Sequence, residues 1–275
     1  MASLRTQLKH FAVNSISLFD RLFPLSSRTR VRLQYLLWRL SHKSESGYWN
    51  RVITAAPGTG YARLVAERMD PCSPLRDDVA ALVDRVPSDA VSLLDVGAGP
   101  FTDLGKIHPR KTLTITAVDP LADSYIGFLE ARGITPPVVT TFCKGEQLSR
   151  QYPENGFDIS YANNSLDHSY DPLEIIIEMV RVTKVGGWCF MRHWENEAEF
   201  ENYTGMHFWN FSSLDGDFML SSKSVHINIT KTLAPVARTS VEVKTGTGRA
   251  SVVTTIEKTS ATVGKLQIVT QTRTL

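Results

Sequence analysis

Two glycines and a distant carboxylate are the first residues in this chain whose types and spacing suggest chemistry. An apolar run, Val91 to Val96, ends in Gly97-Ala98-Gly99, and a second, Leu113 to Val118, ends in Asp119-Pro120. Glycines remove side chains where a backbone must turn sharply and approach a ligand. Asp119 lies 24 residues beyond Asp95, and a carboxylate at the end of a second strand can accept both hydroxyls of a ribose. The pattern points to a nucleoside-containing ligand. The dinucleotide fingerprint has a third glycine, in Gly-x-Gly-x-x-Gly, where helix and strand pack closely. Here that position is Thr102, and Pro100 removes a backbone N–H that would otherwise face a pyrophosphate. An NAD-dependent oxidoreductase is therefore the weaker of the two enzyme readings.

Two further clusters could handle a proton. Asp167-His168 follows a fourth apolar run, and a histidine beside a carboxylate is a sensible base because the charge stabilises the imidazolium. Adjacent residues need not touch, and the bland reading is that both bond only to loop backbone. The second cluster is His193, Glu195, Glu197 and Glu199, with His207, Trp209 and Asn210 farther on. A period of two puts His193 and Glu195 on one face if the strand continues that far. This group could form a polar acceptor pocket with an aromatic wall suited to a sugar, or a solvated acidic loop. Histidines and carboxylates can also ligate a divalent metal that acidifies a hydroxyl. The spacing fixes no ligand geometry, so no metal site is assigned.

These residues need elements to position them. Asp77 to Val86 reads as a helix stopped by Pro87, and Ser124 to Arg132 as a helix capped by Gly133. Val138 to Phe142 and Phe157 to Ala162 are a third and a fourth strand. Asp171 is a good N-cap, Pro172 suits the first helical position, and Glu174 completes a capping-box spacing. Leu173, Ile176, Ile177 and Val180 then form one apolar stripe. Gly186-Gly187 ends that segment, and Trp188 to Trp194 is a fifth strand. Strands alternating with helices argue for an α/β fold whose mostly parallel sheet is covered on both faces. Later, Val225 to Ile229, Val241 to Lys244 and Ser251 to Lys258 read as strands, with Gly246-Thr247-Gly248 turning a hairpin between the last two. Residues 259–275 are Thr-rich, either one more edge strand or a loose tail.

The bulk properties set outer limits. The chain has 275 residues and 42% apolar residues, ordinary for one large domain with an appendage. No apolar run approaches the roughly 20 residues that span a bilayer. Cys72, Cys143 and Cys189 are far apart and odd in number, which fits a reducing cytoplasm. Met1 to Lys43 carries eight Lys or Arg and one Asp, about +7, whereas the remainder carries 22 basic and 27 acidic residues, about −5. Leu33, Leu36, Leu37 and Leu40 recur there at helical spacing. The segment is either a solvated helical cap or a peripheral membrane contact through residues 1–43. The slightly acidic body argues against a nucleic-acid partner.

The motif order resembles that of class I S-adenosylmethionine-dependent methyltransferases. The resemblance rests on Asp95-Val96-Gly97-Ala98-Gly99, Val118-Asp119-Pro120-Leu121, Gly145-Glu146-Gln147-Leu148, Phe157-Asp158-Ile159-Ser160-Tyr161 and Arg181-Val182-Thr183-Lys184-Val185-Gly186-Gly187. It is closest to a bacterial type-11-like subgroup with Asn-x-Leu-Asp-His-Ser-x-Asp-Pro, here Asn164 to Pro172. That subgroup also carries Glu-x-Glu-Ala, here Glu195 to Ala198, and Gly-x-His-x-Trp-Asn-Phe, here Gly205 to Phe211. The resemblance implies a Rossmann-like doubly wound seven-stranded sheet with a C-terminal antiparallel strand pair. It divides the chain into a basic helical extension, 1–44, and a methyltransferase domain, 45–275: a helical lead-in 45–88, a core sheet 89–258 and a tail 259–275. It implies S-adenosylmethionine as cofactor, with Gly97, Ala98 and Gly99 along its methionine and ribose, Asp119-Pro120 at the ribose, Glu146 near the adenine and Asn163 near the methionine end. Asp95 either touches the cofactor or fixes the glycine loop. Asp167, His168 and His193 are then the candidate catalytic residues. Glu195, His207, Trp209 and Asn210 are the candidate contacts to a small-molecule or glycan acceptor, methylated on oxygen. A binding module of this fold that docks through its basic N-terminus without turnover is the non-enzymatic alternative.

Overall fold

The computed structural model describes residues 27–204, 206–246 and 248–271. Its centre is a seven-stranded sheet in the order β3-β2-β1-β4-β5-β10-β9. The strands are β1 (Ala90–Val96), β2 (Thr112–Asp119), β3 (Thr140–Phe142), β4 (Phe157–Asn163), β5 (Thr183–Trp194), β9 (Ala237–Lys244) and β10 (Ser251–Lys258). The first five are parallel, and β10 runs antiparallel between β5 and β9. The expected sheet and its C-terminal antiparallel pair are therefore present. Thr247, in the expected hairpin turn, lies outside the described residues.

Alternation along β1 shows why both faces must be covered. Val91 and Leu93 join one apolar cluster with Leu82 and Val83 of α3 (Asp77–Arg85), while Leu94 and Val96 join another with Ile176 and Val180 of α5 (Pro172–Val182). Helix α5 starts as its sequence predicts, the Asp171 side chain accepting from Glu174 N–H at 3.2 Å. Helix α4 (Ala122–Glu130) links β2 to β3.

Four expectations are corrected. Strict alternation fails between β1 and β2, where residues 97–111 form no helix. Pro100 and Pro109 disfavour one, and the segment is pinned instead to an extended piece of chain. Leu75 N–H donates to Ile107 O at 3.0 Å and Lys106 N–H to Ser73 O at 2.6 Å. Second, Gly186-Gly187 lies inside β5, which begins at Thr183. The register against β4 shifts there, and a Cβ on Gly187 would lie 2.5 Å from Asp158 O, so the glycines form a bulge and do not end a helix. Third, residues 210–228 fold into a second, three-stranded sheet. Its strands are β6 (Asn210–Leu214), β7 (Asp217–Ser221) and β8 (His226–Asn228). Asp215 and Gly216 turn the first hairpin with φ of 52° and 83°, a two-residue loop matching strand twist. The tail bridges to β8 at Thr270. Two short helices, α6 (Glu197–Phe200) and α7 (Ile229–Leu233), flank this sheet.

The fourth correction concerns the domain boundary at residue 44. A single helix, α1 (Ser27–Ile53), runs across it and is followed by α2 (Gly60–Met69). Leu37, Trp38 and Ser41 of α1 are buried, and Trp38 packs edge-on against Tyr170 at 5.3 Å. Burying a large apolar side chain contributes ~1.5–3 kcal/mol, enough for these anchors to hold α1 on the body. Leu36 and Leu40 of the expected stripe are exposed instead. The basic residues before 27 lie outside the described residues.

The pinned segment after β1 gives a stability test. A Cβ on Gly105 would sit 1.8 Å from Pro74 O, a backbone atom that cannot step aside. Gly105→Ala is expected to destabilise the fold by at least about 2 kcal/mol, measured as a shift in the chemical-denaturation midpoint at unchanged slope.

Candidate active site

The sheet order reverses between β1 and β4, and a cavity of about 750 Å³ opens there beyond the carboxyl ends of the strands. Gly97 and Gly99 line it in the left-handed region, with φ of 77° and 64°. A Cβ on Gly97 would meet Ser165 at 2.6 Å, and one on Gly99 would meet the Trp49 ring at 2.8 Å. Gly97 N–H and Ala98 N–H both donate to Val118 O, at 2.9 and 3.1 Å, so the loop is tied to β2.

Asp119 completes that tie. Its Oδ2 accepts from Gly99 N–H at 3.0 Å and its Oδ1 from Leu121 N–H at 2.8 Å. Each oxygen keeps a second lone pair for a ligand. Burial raises its pKa to about 6, partly offset by the two N–H donors. Asp95 sits behind the loop, accepting from Thr102 Oγ1 at 2.5 Å. Burial, and then the charge of Asp103, push its carboxyl up. Thr102, which occupies the third-glycine position of the dinucleotide pattern, is thus a clamp on Asp95, and no helix N-terminus follows the loop to receive a pyrophosphate.

Glu146 opens the 3₁₀ turn Gly145–Arg150 and faces the same cavity. Burial raises its pKa to about 8, and its Oε1 finds no partner among the described residues. Pro120 and Asn163 also line the cavity, and Asn163 Nδ2 donates to Asp103. Helix α1 forms the roof, with Glu45, Tyr48 and Trp49 over the glycine loop. Trp49 Nε1 donates to Glu45 Oε1 at 3.0 Å, and the Arg68 guanidinium of α2 lies 5.6 Å over the Trp49 ring. Sequence reasoning placed residues 45–49 only in a helical lead-in. Their acid-and-aromatic composition was the available signal.

His168 and His207 line the polar half of the cavity, with the buried Asp167 behind them. His207 Nδ1 lies 2.8 Å from Asp167 Oδ2, and His168 Nε2 lies 3.2 Å from His207 Nδ1 and 3.4 Å from Asp167 Oδ2. Phe208 N–H donates to Asp167 O at 3.1 Å, which anchors the His207 loop here. Burial alone would raise Asp167, but the adjacent His168 and the His207 hydrogen bond outweigh it and hold the pKa at about 2. Burial works the opposite way on His207, and the Asp167 bond and charge overcome it to raise the pKa.

His193 of β5 lines the cavity nearby, 1% exposed and stacked on Phe211 at 4.1 Å. Burial lowers its pKa to about 4, and neither ring nitrogen has a partner among the described residues. It is a neutral group, poorly suited to hold a proton taken from an acceptor near neutrality.

The other expected acceptor contacts fall elsewhere. Glu195 lies past the end of β5 and bridges to Phe211, so the alternation that would pair it with His193 stops one residue short. Trp209 is buried in the main apolar cluster. Asn210 is fully buried; its Oδ1 accepts from Glu199 N–H at 2.9 Å and its Nδ2 donates to Tyr203 OH at 3.1 Å. None of the three lines the cavity.

Residues 94–191 match a family described as "Methyltransferase domain". The match runs from the end of β1 into β5 and takes in the glycine loop, Asp119, Glu146, Asp167 and His168. No match is found among curated proteins. Among solved structures, the [4+2]-cyclase SpnF is 26% identical over 44% of this chain and 46% of its own, with a TM-score of 0.31. This chain thus spans under half the length of that protein. A Pyrococcus horikoshii OT3 protein is 14% identical over 73% of this chain and 92% of its own, at 0.42. A T. thermophilus 16S rRNA N2 G1207 methyltransferase, solved with AdoMet and guanosine, is 15% identical over 70% of this chain and 41% of its own, at 0.37.

The neutral His193 gives a pH prediction. Its folded pKa lies below the ordinary value, so the unfolded chain takes up the proton first and stability falls as pH drops from about 6.5 towards 4. Between roughly pH 7 and pH 5 this one residue should cost about 2 kcal/mol. Denaturation of the wild type and His193→Gln at both pH values checks it, the variant being expected to lose less stability on acidification.

Proposed function

We propose that the protein is an S-adenosylmethionine-dependent methyltransferase acting on an oxygen of a small-molecule or sugar acceptor. The observation that carries the reading is the cradle at the β1–β4 switch point, where two left-handed glycines and a buried Asp119 lie in one cavity with Glu146, whose Oε1 has no partner among the described residues. Asp119 has free lone pairs for two ribose hydroxyls. A Glu146 carboxyl that is neutral near pH 7 offers one donor and one acceptor, the complement of an adenine's N1 and amino group. Asp103 lines the cavity near the loop, a carboxylate suited to an amino acid's ammonium.

S-Adenosylmethionine supplies an electrophilic methyl group and a neutral thioether leaving group. What the chain must do is align the acceptor and help remove its proton. Asp167, His168 and His207 stand at the polar end of the same cavity, where an acceptor hydroxyl would be prepared for attack. His193 offers that acceptor a neutral hydrogen bond. The absent helix after the glycine loop, with Pro100 and the Thr102 clamp, weighs against a dinucleotide in the same cradle.

Calorimetric titration tests the reading. S-Adenosylmethionine is expected to bind and NADH not to bind. Asp119→Ala should weaken binding at least tenfold, about 1.4 kcal/mol, for the loss of a hydrogen-bonded charge. Affinity should also fall as pH drops through about 6, where Asp119 takes up its proton. Binding of NADH in place of S-adenosylmethionine would overturn the proposal.

A further inference from the structure

We propose that Asp167, His168 and His207 hold a divalent transition-metal ion of the zinc type, with open coordination positions towards the acceptor end of the cavity. The inference rests on the methyltransferase reading for its purpose but not for its geometry. Asp167 Oδ2, His207 Nδ1 and His168 Nε2 form a closed triangle with sides of 2.8, 3.2 and 3.4 Å. With metal–ligand bonds of about 2.1 Å, those sides subtend roughly 85°, 100° and 110° at a common ion, within the range of octahedral and tetrahedral sites.

Hydrogen bonding alone serves this triangle poorly. Each nitrogen carries at most one hydrogen, and a single His207 Nδ1–H cannot point well at both Asp167 Oδ2 and His168 Nε2. If both nitrogens are protonated, two N–H groups face each other. One cation replaces all three contacts. The second carboxylate oxygen, Asp167 Oδ1, is buried without a partner among the described residues, and so are both nitrogens of His193. Buried polar groups are normally satisfied, and an orphaned carboxylate oxygen on the triangle together with the orphaned His193 ring points to a missing ligand.

The surroundings are also those of a cation site. Glu45 Oε2 lies 3.7 Å from the other ring nitrogen of His168, and Glu197 Oε1 lies 3.8 Å from His207 Nδ1. Glu45 lies on the side from which an outer carboxylate orients a ligating imidazole, whereas Glu197 faces the ligating nitrogen of His207 and adds negative charge beside the ion. Two imidazole nitrogens with one carboxylate select a borderline transition ion over Mg²⁺ or Ca²⁺, which prefer oxygen. His168 and His207 each keep 22% side-chain exposure and line the cavity, so water or an acceptor hydroxyl can reach the ion. A hydroxyl bound there becomes more acidic and loses its proton to solvent water, which leaves the oxygen ready for the methyl group. In this account the two histidines are ligands, and neither is the base.

The test is a Co²⁺ titration of the untagged full-length protein after chelator treatment. One Co²⁺ per chain is expected, with visible d–d bands that Zn²⁺ abolishes and Mg²⁺ does not. His168→Gln and His207→Gln should each weaken Co²⁺ at least about tenfold, with circular dichroism checking their fold and calorimetry their S-adenosylmethionine binding. The absence of Co²⁺ binding, or affinity unchanged in both variants, overturns the inference. If Co²⁺ fails to bind while S-adenosylmethionine binds, the metal site is wrong and the methyltransferase reading stands. If Co²⁺ binds as expected and S-adenosylmethionine does not, the metal site stands and that reading fails.

Discussion

The site depends on one buried carboxylate at the end of a strand. Asp119 takes N–H bonds from Gly99 and Leu121, and so fixes both the loop after β1 and the chain leaving β2. The glycine loop has no helix behind it to hold its shape. Its conformation comes from two left-handed glycines, from Val118 O, which receives two N–H groups, and from the Thr102–Asp95 clamp. A carboxylate that organises the backbone while keeping lone pairs free is already in place for a ligand, so little ordering cost is left for binding.

The rest of the cavity is brought to this point by parts of the chain far apart in sequence. Helix α1 crosses the expected boundary and places Glu45 within reach of His168 and Trp49 against Gly99. The loop before β6 brings His207 to Asp167, held by Phe208 N–H on Asp167 O. The three-stranded sheet adds Phe211, whose ring covers one face of His193. The glycine-loop half of the cavity is thus floored by the parallel sheet and roofed by α1, and the half around His168 and His207 is completed by the loop before β6.

The sheet was largely legible in the sequence. Period-two and 3.6-residue patterns, with the Asp171-Pro172-Glu174 start, located β1, β2, β4, α5 and β10 closely. The glycine loop and Asp119 were legible because backbone sterics and ribose chemistry restrict the residue types that can serve there. The pairing of His207 with Asp167 was not, since it joins residues 40 apart through a loop. Trp209 and Asn210 had the right chemistry for an acceptor pocket but are used for packing and for holding backbone, which only tertiary structure decides. Asp215-Gly216 was a readable hairpin signal, and it marks the second sheet. The missing helix after β1 had its signal in Pro100 and Pro109.

The central claim is that one ligand bridges the glycine loop, Asp119, Glu146 and the α1 roof. Hydrogen–deuterium exchange with and without S-adenosylmethionine tests it most directly. The account predicts slower exchange in four separate segments, residues 45–53, 95–101, 119–122 and 145–148, with no change in β6 to β8. Protection confined to one of these segments, or none at all at saturating S-adenosylmethionine, would contradict it.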